Sequence, residues 1–185
     1  MGPIEQLEQI LPAVVAVAGA IEPGQLTNAT PCAQFVVSDI FDHMVVLGGT
    51  FAQLFRGEEP QAVAAPLRDG RVPAAVFEAA MGDLLDAIRS PGALERTLVT
   101  PVGTMPGEAF ARLVAFDGLV HGWDLARSTG QALVVPDDVV AAVDEFARAA
   151  LQPEMRDGDT FKDETTPPAG AGRLERLVAF SGRTV

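Results

Sequence analysis

Along most of the chain, apolar residues recur at three- and four-residue intervals, the spacing that lines them up on one face of a helix. From Pro3 to Ala20 the stripe is Ile4, Leu7, Leu11, Val14, Val15 and Ala18, with Pro12 as either a kink or the true helix start. The turn-forming run Glu22-Pro23-Gly24 ends it. A polar connector from Thr27 to Gln34 leads to a second helix over 36–56, whose apolar members include Val36, Ile40, Met44, Leu47, Phe51, Leu54 and Phe55. Residues 57–70, punctuated by Pro60, Pro66 and Gly70, predict a long loop. A third helix is expected over 73–89, with proline in the first turn, where it is tolerated. Ser90-Pro91-Gly92 closes it.

Only Glu95 to Val102 (ERTLVTPV) reads as extended, a short strand or an irregular crossover. A fourth helix is predicted over 107–128, stopped by Gly130, and a fifth from Asp137-Asp138 to Leu151, its acids favoured by the helix dipole. Residues 152–169 carry Pro153, Gly158 and Pro167-Pro168 without periodicity and predict a loop; covering the open end of the fold is open to it, though nothing in the sequence requires that. A short helix over 173–180 follows. The chain has no internal repeat. These lengths predict an all-α fold, an antiparallel four-helix bundle with a long crossover connection and a short C-terminal extension. The expected division is a helical bundle over 1–151, with 152–185 packing on it rather than forming a domain of its own.

Composition narrows the partners. In 185 residues, 48% hydrophobic, a core can form. Thirteen basic against 25 acidic residues leave a net charge of −12, with no basic footprint for nucleic acid and no attraction to an anionic membrane. Leu11 to Ile21 is too short to span a bilayer, which takes ~20 residues. The ten residues before it carry no Lys or Arg, unlike a signal peptide. A single cysteine, Cys32, excludes an internal disulfide framework and fits a reducing compartment, so a cytoplasmic protein is expected.

The chemistry-bearing residues are few. The only histidines are His43 and His121, each near the middle of a predicted helix. Asp117 lies four residues before His121, so both share a helix face and can grip one ion. A charge among apolar neighbours is costly unless paired or metal-bound. His43, Asp117 and His121 would supply three ligands and leave a position open, the pattern of a catalytic zinc site. Two histidines and a carboxylate equally match the facial triad of non-haem iron. Against this, His43 alone could be a satisfied core histidine, and Asp117 with His121 an intrahelical ion pair. Asp39 repeats the spacing with His43, but its first-turn position suits a cap rather than a fourth ligand. Cys32 reads as structural, and Trp123 as a core or pocket-wall residue. Asp124 could receive a proton from a ligand histidine, although a surface or interhelical pair, with Arg127 as partner, is the commoner role.

Three segments carry a family resemblance. QLTNATPCAQFVVSDIFDHMV, with Thr30-Pro31-Cys32, an aromatic three residues on, Asp39 and His43, resembles the opening of the mycothiol-dependent maleylpyruvate isomerase N-terminal domain, a DinB-like metal-binding four-helix bundle. DGLVHGWDLARSTGQ, residues 117–131, resembles the same family's acid-x3-His helix, and the tail RLERLVAFSGR, residues 173–183, is a weaker match. The resemblance implies metal ligation by His43, Asp117 and His121. It also implies a divalent metal, zinc first with nickel or iron also compatible, and mycothiol as the thiol. Two positions depart from the family pattern: Phe35 stands where tryptophan is usual, and Asp117 where the characterised isomerase has glutamate.

Three functions follow. In the first, an isomerase or S-transferase activates a small-molecule thiol at the metal, and the thiolate attacks an electrophilic substrate. In the second, a non-catalytic metal-binding bundle uses the ion for stability, sensing or stress. The third is a helical interaction module without metal, which requires the two histidines to lie apart. Self-association into a homodimer stays open.

Overall fold

The computed structural model describes residues 1–67, 72–151, 156 and 162–185. Among these the chain is mostly helical: α1 Pro3–Gly19, α2 Val37–Arg56, α3 Ala74–Arg89, α4 Gly107–Ser128, α5 Asp137–Ala150 and α6 Arg173–Phe180. A small antiparallel sheet, β1 Thr97–Thr100 and β2 Gly103–Pro106, precedes α4. The helix bounds predicted from periodicity agree to within a residue. Pro12 does not start α1, which begins at Pro3. It lies in the helix interior on the exposed face, where the carbonyl it leaves unbonded can reach water.

The chain is mostly helical, and the small sheet adds to the all-α expectation at the one segment read as extended. The extended segment folds back on itself through Pro101-Val102, pairing Thr97 with Pro106 and Thr100 with Gly103. The second strand, GTMP, has neither alternation nor β-branched enrichment, so nothing in its own composition announced it. Its pairing with β1 supplies the signal. Gly70, Pro153 and Gly158, expected in loops, lie outside the described residues.

Four long helices share one core. α1 packs on α3 and α4, and α2 also packs on α3 and α4. α2 and α4 run in opposite directions, with His43 beside His121 at one level and Phe51 beside Phe110 at another. α1 and α4 run the same way: Ile10 meets Gly118, and Val14 meets Gly122. α2 and α3 also run the same way, through Phe41 against Phe77 and Gly48 against Met81. Neighbouring helices are thus not all antiparallel. The long connection between α2 and α3 carries the chain back to start α3 in the direction of α2.

Gly122 sets how closely α4 lies on α1, since a Cβ there would fall 2.6 Å from Cγ2 of Val14. α4 is consequently buried on most of its circumference, from Phe110 through Ala126. Buried aliphatic and aromatic side chains lock its rotation, which fixes where Asp117 and His121 point. α6 then packs against α5 and α4. After it, Gly182 adopts φ 94°, which a glycine takes without penalty, and the chain turns back so that the Arg183 amide donates to the Val178 carbonyl at 3.0 Å.

Candidate functional site

The two histidines meet across the α2–α4 contact. Their ring centroids lie 5.0 Å apart at 71°. One ligand atom each from His43, Asp117 and His121 lies within 4.8 Å of the others. Helix geometry brings Asp117 and His121 together, and the opposed packing of α2 brings His43. Each nitrogen of His121 faces a carboxylate: Nε2 lies 3.5 Å from Oδ1 of Asp117, and Nδ1 lies 3.2 Å from Oδ2 of Asp124. Positions 117, 121 and 124 form one helical stripe, a signal present in the sequence.

Asp124 is where the sequence reading goes astray. It is fully buried and does not pair with Arg127, which is exposed. It accepts hydrogen bonds from Arg183, Nη2 at 3.0 Å and Nε at 3.3 Å to Oδ2, with the Arg183 side chain only 11% exposed. The reversal at Gly182 makes this reach feasible. Arg183 lies in the tail segment RLERLVAFSGR, but a partner 59 residues away cannot be identified from spacing.

These bonds fix the chemistry of His121. A carboxylate held by a guanidinium is a strong acceptor for Nδ1–H, which directs the Nε2 lone pair toward Asp117. A lone pair and a carboxylate at 3.5 Å attract only if a cation, either a proton or a metal ion, sits between them. Two imidazoles and a carboxylate are a suitable donor set for such a metal. Ligand atoms around a tetrahedral zinc with bonds of ~2.1 Å stand ~3.4 Å apart. The Asp117–His121 pair already matches that spacing, and the 4.8 Å spread of the cluster closes with small side-chain movements. The residues fit the ion. Asp117 is less buried than the apolar-face argument assumed: its side chain is 42% exposed, opening toward a cavity.

His43 is half-buried, and burial pushes its pKa below the ordinary histidine value. Asp117 opposes that shift and His121 adds to it. Phe35 covers the pair, its ring centroid 5.3 Å from that of His43 and 6.3 Å from that of His121. The turn carrying Phe35 is pinned by Thr30, whose hydroxyl donates to the Phe35 carbonyl at 2.6 Å. Asp39 caps α2, its Oδ2 accepting the Val36 amide at 2.9 Å, and it stands outside the three-residue cluster. Trp123 is buried in the core.

The cluster lines a cavity of about 430 Å³, whose wall also takes in Cys32, Phe35, Phe51, Phe110, Leu113, Lys162 and Arg183. Cys32, expected to be purely structural, is half-buried in that wall. Burial raises its pKa, with Arg183 pulling the other way. Lys162 is the part of the 152–169 segment that borders the cavity among the described residues.

Residues 7–126 match the mycothiol maleylpyruvate isomerase N-terminal domain family. Uncharacterized proteins from two strains of Mycobacterium tuberculosis are each 31% identical over 186 aligned positions, covering 100% of both chains. Crystal structures of the mycothiol-dependent maleylpyruvate isomerase and of a histidine-to-alanine mutant of it superpose with a TM-score of 0.61. They are 13% and 12% identical to this chain, over 77% of it and 66% of theirs. At that identity the likeness speaks for the fold, and the chain spans just under two thirds of the isomerase. The family match across α1 to α4, together with relatives that align end to end, makes the chain a member of the mycothiol maleylpyruvate isomerase N-terminal domain family.

Proposed function

We propose that the chain is a metal-dependent thiol transferase or isomerase, with His43, Asp117 and His121 holding a divalent ion, zinc by preference. The observation that carries this is His121, set between two carboxylates with its Nε2 directed at Asp117 and with His43 alongside. A divalent ion bound there would hold a small-molecule thiol as its thiolate at neutral pH. Mycothiol is the candidate thiol, from the family name and the structural relatives.

The chain's own residues do the rest. Asp124 and Arg183 orient His121, Phe35 shields the cluster from water, and the cavity offers the electrophile a place beside it. Cys32 is a poor substitute for an outside thiol, because burial disfavours its thiolate. On this reading the four long helices form a DinB-like bundle over 1–151, with 152–185 packed on it, and the protein works in the cytoplasm. No helix among the described residues is long and apolar enough to cross a membrane.

Two rival readings weaken. The interaction module required separated histidines, and these rings are in contact. A closed structural site required a fourth protein ligand such as Asp39, which instead caps its helix. Metal analysis of the purified protein is the test: about one equivalent of divalent ion per chain, lost in His121→Ala and in His43→Ala. Wild-type metal content in His121→Ala, or no uptake of added zinc by the wild type, would overturn the reading. For the thiol, cobalt-loaded protein titrated with mycothiol should develop a saturable sulfur-to-cobalt charge-transfer band in Cys32→Ser as well as in the wild type. Bound cobalt without the band would favour the non-catalytic alternative.

A further inference from the structure

The cavity beside the cluster has a chemical character of its own. At about 430 Å³ it falls within the ~300–1,000 Å³ of small-molecule sites. At ~30 Å³ per water-sized group it has room for on the order of ten non-hydrogen atoms. Past His43, Asp117 and His121, its wall is mostly apolar among the described residues, with Phe35, Leu47, Phe51, Phe110, Leu113 and Val114 outnumbering polar groups such as Gln34 and Ser181.

Among the described residues two cations border it, Arg183 and Lys162, and neither suits a deep carboxylate. Arg183 turns its Nε and Nη2 to Asp124, so its charge is already answered by a buried carboxylate. Lys162 is exposed, so its charge is hydrated. A substrate carboxylate laid against the aromatic wall would lose its water without gaining an unpaired buried cation in return, which costs several kcal/mol. The overall charge of −12 further repels anions.

We infer that the cavity takes the uncharged, apolar body of the electrophile, an alkyl chain or a single aromatic ring, with the reactive carbon at the cluster end. The substrate then differs in class from the acid named in the structural relatives. This rests on the thiol-transfer reading for its reactive end, but the apolar subsite stands on the wall alone.

Calorimetric titration of a series of thiol-inert methyl esters, from methyl butanoate to methyl octanoate, tests it on protein as purified and after chelation. Affinity should climb by up to ~4-fold per methylene until the cavity is full. After chelation, so that no ion can attract the acid, the free carboxylate of each chain length should bind at least tenfold more weakly than its ester. Leu113 is half-buried in the wall. Leu113→Trp should end the climb at a shorter chain, and Leu113→Ala should extend it to a longer one. A flat series, acids that match their esters, or a climb that ends at the same length in the Leu113→Ala variant would overturn the inference. If Leu113→Trp does not fold, the wild-type series and Leu113→Ala still decide it. A climbing series in a protein that takes up no metal sinks the thiol-transfer reading and leaves the cavity. Bound metal with a flat series does the reverse.

Discussion

The two histidines of the cluster are held in opposite ways. His121, on α4, is buried, and each ring nitrogen faces a carboxylate, one of them locked by a guanidinium. His43, on α2, is half-buried and held by ring packing against Phe35 and His121, with no hydrogen bond to it among the described residues. The fold holds one candidate ligand rigidly and leaves the other free to adapt to whatever enters the site. Such a division suits a centre that admits a cation and then a ligand: the fixed side defines the position, and the loose side adapts to it.

The contrast is broken most directly at Asp124. Asp124→Ala leaves Arg183 and His121 without their shared partner in a buried setting, so unfolding in denaturant should become easier by ~3–5 kcal/mol. His43→Ala, measured alongside, should remain within ~1 kcal/mol of the wild type while losing metal as completely. Equal destabilisation by the two substitutions would mean that the α4 side is not the rigid one.

A milder break is Arg183→Ala, which keeps the His121–Asp124 bond but frees the carboxylate to move. Metal affinity should fall ~10–100-fold, the usual effect of losing a group behind a ligand. Arg183→Lys should recover only part of it, because an ammonium cannot reproduce the two-nitrogen contact. Recovery to wild-type affinity would reduce Arg183 to a point charge.

Two carboxylates at the same spacing from a histidine sharpen the comparison further. Asp117→Asn should weaken metal binding far more than Asp39→Asn. The latter removes only a charge at the start of α2, worth ~0.3–1 kcal/mol of stability. Isothermal titration with zinc checks both, and equal losses would bring Asp39 into the ligand set.

The smallest effect is in pH. Burial depresses the His43 pKa, so the folded chain binds fewer protons at that ring than the unfolded one. In chelated protein the stability present above the ordinary histidine value should decline as pH falls through that value toward the lowered folded one. His43→Ala should show a shallower decline in thermal unfolding between pH 7 and 5. An unchanged slope would assign the pH dependence elsewhere.

Much of this was legible in the residues. The i, i+4 spacing of Asp117 and His121 follows from helix geometry alone. With only two histidines in the chain, His43 was the natural companion, and the family segments named it as well. Asp39 as a cap was legible as well, because first-turn position is a local property. Asp124 was legible only in part: its place on the 117–121–124 stripe can be counted, but its burial and its choice of Arg183 over Arg127 cannot. The β2 strand was hidden because GTMP owes its conformation to the strand it pairs with rather than to its own composition.

The sequence by itself determined the helices, their apolar faces and the carboxylate–histidine pair, since each depends on interactions within a few residues along the chain. Tertiary structure alone decided that His43 would meet that pair, that the tail would return through Gly182 to lock Asp124, and that an apolar cavity would open beside them. Those outcomes depend on which helix faces pack and how closely. Steric fit among residues far apart in the chain sets that, as when Gly122 lets α4 lie against Val14, and no local pattern records it.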